Sequence, residues 1–162
     1  MTDPASTNTL ASHSLLRLML MGLLSGIISA LIAASTLLAL SDFTPSEATA
    51  TSSAKTYAGD LPTAVIAAFL WFLPVGIFIF PPAAKLLVAA SSAGTLRLLK
   101  FALLAACLWL LLAETIYLVL SPLAPAPPGV QTHDLIMAAM SGVLFAIVFD
   151  LLLRRRDYLL DR

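Results

Sequence analysis

Four apolar runs, separated by polar or proline-rich breaks, organise this chain. No charged residue lies between Arg17 and Asp42, and Leu18 to Leu40 is almost wholly apolar. At about 1.5 Å of rise per residue, such a run forms a helix long enough for a hydrocarbon core about 30 Å thick. A second uncharged run begins at Leu61. Pro62 is tolerated in its first turn, where a backbone N–H has no helical acceptor. Pro81-Pro82 predict its end, because proline lacks the N–H and clashes with the preceding turn. A third run follows Lys100 and is interrupted by Glu114; a fourth opens at His133-Asp134 and closes at Arg154-Arg155-Arg156. The predicted spans are therefore about 18–40, 61–81, 100–121 and 134–153.

The breaks read as follows. Residues 1–14 are small and polar, predicting a disordered N-terminal segment. Residues 41–60 form a Ser/Thr/Ala-rich loop with Asp42, Glu47, Lys55 and Asp60. Residues 83–100 form a connector carrying Lys85, Arg97 and Lys100, broken by Ser91-Ser92-Ala93-Gly94. Pro122 to Gly129 holds four prolines and predicts a stiff turn. Residues 154–162 form a basic tail.

Composition decides the solvent. Hydrophobic residues make up 60% and charged residues 11% of the 162, with mean hydropathy +0.98. Soluble domains run at roughly 45–50% apolar and about 25% charged. A soluble helical bundle would need polar faces that these runs lack. The predicted class is all-α: a polytopic membrane protein with a four-transmembrane-helix bundle. Net charge is zero, yet eight of the nine Lys and Arg residues fall on one side of a four-span arrangement, with Lys55 the exception. The positive-inside rule then predicts both termini in the cytoplasm and a multi-pass protein of the plasma or bacterial inner membrane. A cleaved signal peptide ending at Ala48-Thr49-Ala50 is the competing reading of the first run. Against it, a signal's apolar region is about 7–15 residues long, and this run is longer.

Small residues four apart predict where helices meet, since packing rather than hydrophobicity drives association in lipid. Gly22, Gly26 and Ala30 form one such stripe, with Ser25 and Ser29 beside it for hydrogen bonds across the contact. Ala138, Gly142 and Ala146 form another, and Ala102 and Ala106 lie on the third span. These stripes suit contacts within the bundle, with a dimer contact as the alternative. Pro74, followed by Gly76, predicts a kink near residues 70–73, read as structural, with a functional break at a substrate site as the alternative.

Candidate chemistry is sparse. Glu114 lies roughly 10 Å inside the predicted end of its span. A charge at such depth costs on the order of 3 kcal/mol near mid-membrane, so it is expected to face protein or water. Cys107, Tyr117 and Ser121 recur with it as one weakly polar stripe, the candidate ion or substrate site. Three roles suit Glu114: a proton- or cation-binding carboxyl inside the bundle, a neutral acid hydrogen-bonded to a neighbouring helix, or a contact with a partner subunit. Asp150 reads as a surface ion pair with Arg154 at i+4. Arg154, Arg155 and Arg156 anchor topology and attract anionic headgroups. His133 reads as a polar helix-start residue, with a role in pH sensing coupled to Glu114 as the alternative. One cysteine and two distant histidines predict no metal site, and nothing points to a cofactor or nucleic acid.

Catalysis needs a cluster of acid, base, nucleophile or metal, and none can be assembled here. The chain is therefore expected to be no enzyme. It reads as a structural, accessory or assembly subunit, with the bilayer and another membrane protein, or itself, as partners. The alternative is a small oligomeric transporter or channel coupled through Glu114.

Overall fold

The computed structural model describes residues 14–41, 61–88, 95–120 and 130–160. The predicted disordered segment, the loop after the first span, the proline-rich turn with Ser121, and the last residues of the basic tail lie outside that set. Five α-helices, among the described residues, make up the structure: α1 (Leu15–Ser41), α2 (Leu61–Pro74), α3 (Phe80–Val88), α4 (Thr95–Leu120) and α5 (Val130–Leu160). A π-helical segment, Val75–Ile79, joins α2 to α3, so the three form one rod. Among the described residues there is no strand. Four rods are long and apolar enough to cross a membrane, and the protein is a multi-pass helical membrane protein.

The start of α1 has a local cause. Ser14 caps α1: its carbonyl accepts from the N–H groups of Arg17 and Leu18, and its Oγ accepts from the Arg17 N–H at 3.4 Å. Several hydroxyls inside the spans bond to their own helix, whereas the buried Ser29 Oγ has no hydrogen-bond partner among the described residues. Ser25 donates to the Met21 carbonyl at 2.7 Å, Thr115 to Leu111 at 2.7 Å and Ser141 to Met137 at 2.8 Å. Back-bonding of this kind satisfies a hydroxyl where water is absent. It also corrects the expectation that Ser25 bridges to another helix.

The second rod departs from prediction in two ways. Pro81-Pro82 do not end it; it continues to Val88. The irregularity falls at 75–79, just beyond Pro74, and the stretch 70–73 is ordinary α-helix. The two facts share a cause. In the π segment bonds reach one residue further back, as from the Phe80 N–H to the Val75 carbonyl. That shift places the irregular turn immediately ahead of the two residues that cannot donate. The helix crosses Pro81-Pro82 by widening rather than stopping.

Glycine decides how closely the rods approach. A Cβ on Gly22 would collide with the carbonyl of Gly76 and stand 3.0 Å from Pro81 Cγ. A Cβ on Gly76 would stand 2.7 Å from the ring of Phe145. Helix α1, the π segment and α5 therefore meet around Gly76. On the other side, a Cβ on Gly142 would lie 2.6 Å from the backbone of Ala105. Ala138 and Ala146 share that buried face. Both small-residue stripes thus serve contacts within the chain. Neighbours run antiparallel: early α1 lies against the later part of the second rod, and early α4 against late α5.

Between the rods the interior is aromatic. Phe80 packs edge-on against Phe101, Phe145 and Phe149 with ring centres 5.0–5.9 Å apart. Trp109 sits 5.0 Å from Phe145 and 5.7 Å from Phe72. All six rings are buried. Edge-to-face pairs add about 0.5–1.5 kcal/mol each beyond area burial.

The glycine contacts rank substitutions. Gly22→Ala and Gly142→Ala should each destabilise the bundle by about 1–3 kcal/mol, the range for overpacking. Gly26→Ala should cost less, because its nearest obstacle is the flexible end of Leu73 at 3.1 Å. Unfolding in mixed micelles checks this order; equal effects at all three positions would contradict the packing described.

Candidate functional site: a buried ion pair and an outward carboxylate

Every fourth residue of α4 from Arg97 to Ala113 faces the bundle. Arg97, Phe101, Ala105, Trp109 and Ala113 are all buried. The same spacing runs through α5, where Asp150 follows Ala138, Gly142 and Ala146 in register. Because Gly142 admits the α4 backbone, the two stripes lie close and a short aspartate spans the gap.

Arg97 Nε donates to Asp150 Oδ1 at 2.9 Å, and Arg154 Nε donates to Asp150 Oδ2 at 2.6 Å. Arg97 and Asp150 are each 2% exposed, whereas Arg154 is 45% exposed. Both carboxylate oxygens are engaged. The Nη2 of Arg97 is buried without a hydrogen-bond partner among the described residues. Two guanidinium groups thus share one carboxylate.

This corrects two sequence expectations. Asp150 is no mere surface partner of Arg154; it is the buried centre of a three-residue bridge. Arg97 belongs to the first turn of α4 rather than to a connector, because the helix starts at Thr95. The register of Arg97 with Phe101 and of Asp150 with Ala146 was a signal that could have found both.

The stripe around Glu114 lies elsewhere. Cys107, Leu111, Glu114 and Leu118 are all exposed, at spacings of four, three and four on the outer side of α4. Glu114 is about 9 Å from the helix end at Leu120. Among the described residues it has no hydrogen-bond or ionic partner. The expectation that it faces the interior of its own bundle is therefore corrected. Its register differs by one residue, about 100° around the helix, from buried Ala113. Tyr117 belongs to α4 and His133 to α5, but their side chains, like Ser121, are outside the described residues.

Pro74 is exposed on the second rod, and Gly76 is buried at the crossing already described. Among the described residues no group of His, Cys, Asp and Glu is arranged to hold a metal ion. Arg17 and Leu152 line one groove, so the start of α1 and the end of α5 share an end of the bundle. Arg97, Arg154 and Arg155 lie at that end as well. Comparison with protein-family models, curated proteins and solved structures finds no match to this chain.

The bridge should behave as a unit. Asp150→Leu alone leaves the buried Arg97 guanidinium without its carboxylate and should cost about 3–5 kcal/mol, whereas Arg97→Met, which leaves Asp150 its Arg154 contact, should cost less. The double substitution should recover most of that loss, and Arg154→Ala should change stability by less than about 1 kcal/mol. A double-mutant cycle in mixed micelles measures this; simple additivity of the two single losses would remove the coupling.

Proposed function

We propose that this chain is a non-catalytic accessory subunit that packs against another membrane protein through the outer side of α4. The observation that carries the proposal is Glu114, unpartnered and exposed among apolar side chains. An acidic group at that depth facing lipid is costly, and a donor on a neighbouring transmembrane helix removes the cost. The chain's own basic residues lie near the other end of its spans, apart from Lys55. A second copy would therefore offer Glu114 no cation in the membrane, and the hydroxyl of the exposed Thr115 already donates to the Leu111 carbonyl at 2.7 Å. The occupant we favour is a different chain carrying a basic, hydroxyl or amide side chain at matching depth.

The alternative, a transporter coupled through Glu114, draws less support. Six aromatic rings occupy the space between the rods where a polar path would run, and Glu114 is turned away from that space. We read the end carrying Arg17, Arg97, Arg154 and Arg155 as cytoplasmic on the positive-inside rule. A plasma or bacterial inner membrane suits that reading.

Cys107 provides the test, being the sole cysteine and lying two turns from Glu114 on the same exposed stripe. Thiol cross-linking in native membranes should give a hetero-adduct with the 17.1 kDa chain. Glu114→Leu should abolish the adduct while leaving stability within about 0.5 kcal/mol, as for a surface position. An adduct of two copies of this chain, or a hetero-adduct indifferent to Glu114→Leu, would sink the proposal.

A further inference from the structure

On the side of the bundle where α1 meets α5, a groove of about 410 Å³ is lined by Arg17, Leu20, Met21, Leu24 and Leu152. Leu20 and Leu24 follow Arg17 by three and seven residues, so all three lie along one side of α1. The apolar part runs roughly 10 Å inward from the arginine. Gly22, Ser25 and Gly26, on another side of the same helix, are buried. The groove is thus the side of α1 left over when its glycines are spent on the second rod.

Its chemistry is graded along its length. Arg17 is exposed at the mouth, at the end of the membrane-spanning run. Arg155 is also exposed and follows Leu152 by three residues on α5, bringing a second cation to the same end. Below them every lining side chain is apolar. A cation over an apolar cleft complements a phospholipid, and with Arg17 and Arg155 both at this end an anionic headgroup is favoured over one that carries its own cation. The headgroup phosphate meets the guanidinium, and an acyl chain lies along the leucines.

We infer that this groove holds one anionic phospholipid, its phosphate on Arg17 and one acyl chain along Leu20, Leu24 and Leu152. The site differs from general attraction of lipid by the Arg154–Arg156 run, because it has a fixed place for the tail. It is independent of the α4 surface assigned to a partner protein. Arginine is well suited to the mouth, since its planar fork can give two parallel hydrogen bonds to a phosphate.

Native mass spectrometry of the detergent-solubilised full chain tests this, with phosphatidylglycerol and phosphatidylcholine of identical acyl chains as probes. Wild type should retain a single phosphatidylglycerol at activation energies that strip phosphatidylcholine. Arg17→Gln should lower phosphatidylglycerol affinity about fivefold, the equivalent of about 1 kcal/mol for one basic contact. Lys100→Gln, which changes an exposed cation on α4, should leave it unchanged. Leu24→Trp should reduce retention of both lipids by filling the groove. Arg17 and Leu24 are both exposed, Leu24 by 46%, so neither variant disturbs the core.

Equal retention of the two lipids, or equal loss in Arg17→Gln and Lys100→Gln, would overturn the inference. So would undiminished retention in Leu24→Trp, which would leave only a headgroup contact. Lipid binding that emerges only after deletion of residues 2–12 would assign the groove to the chain's own N-terminal segment, and would overturn it too.

Discussion

The arrangement depends on how closely α1 can approach the second rod at Gly22 and Gly76. Lipid offers no hydrophobic reward for bringing helices together, so contact must come from dense packing and polar pairing. Glycine at both positions lets backbone meet backbone, and the ring of Phe145 closes over Gly76 from α5. The π segment belongs to the same device. It carries Gly76 and takes up the backbone disturbance of Pro81-Pro82, so that Phe80, the next residue, sits among the rings of α4 and α5.

A second close approach, Gly142 on Ala105, sets the charge chemistry. A buried ion pair loses hydration on both partners and recovers it only with good geometry. Here Asp150 has both oxygens bonded and Arg97 has a short Nε contact, so the pair is tolerated near the end of the bundle. Its chief physical effect is on register. A slide of α4 against α5 by one turn, about 5.4 Å, would part Arg97 from Asp150 and leave the buried guanidinium without its carboxylate. Glu114 is the contrasting case. It too is a carboxyl and lies on the same helix as Arg97, yet it is left to whatever borders α4. One chain thus settles one of its membrane charges internally and presents another outward.

Which parts of this were legible beforehand follows from what each signal measures. Hydropathy reports burial from water and does not distinguish lipid from protein. It therefore found every span while saying little about which side of a span faces its neighbours. Proline chemistry was sound for Pro62 and incomplete for Pro81-Pro82, because a π segment is a third option beside continuing and stopping. Charge was the weakest guide to helix ends: Arg97 looked like a connector residue until the start of α4 at Thr95 placed it one turn before Phe101. The stripe Ala138, Gly142, Ala146 was recognised, but its continuation to Asp150 required knowing that a partner cation waited opposite.

Hydrophobic run length, the paucity of charge and small-residue spacing were enough to establish four membrane helices and the faces on which two of them pack. These are one-dimensional properties, governed by transfer of side chains from water and by helical periodicity. Pairing of Arg97 with Asp150, the outward turn of Glu114 and the groove beneath Arg17 belonged to the tertiary structure alone. Each depends on the rotation of one helix about its axis relative to another, and a single-residue difference turns a side chain by about 100°. In lipid, apolar side chains are nearly as content outside as inside, so hydrophobicity cannot choose that rotation. Steric fit at Gly22, Gly76 and Gly142 chooses it.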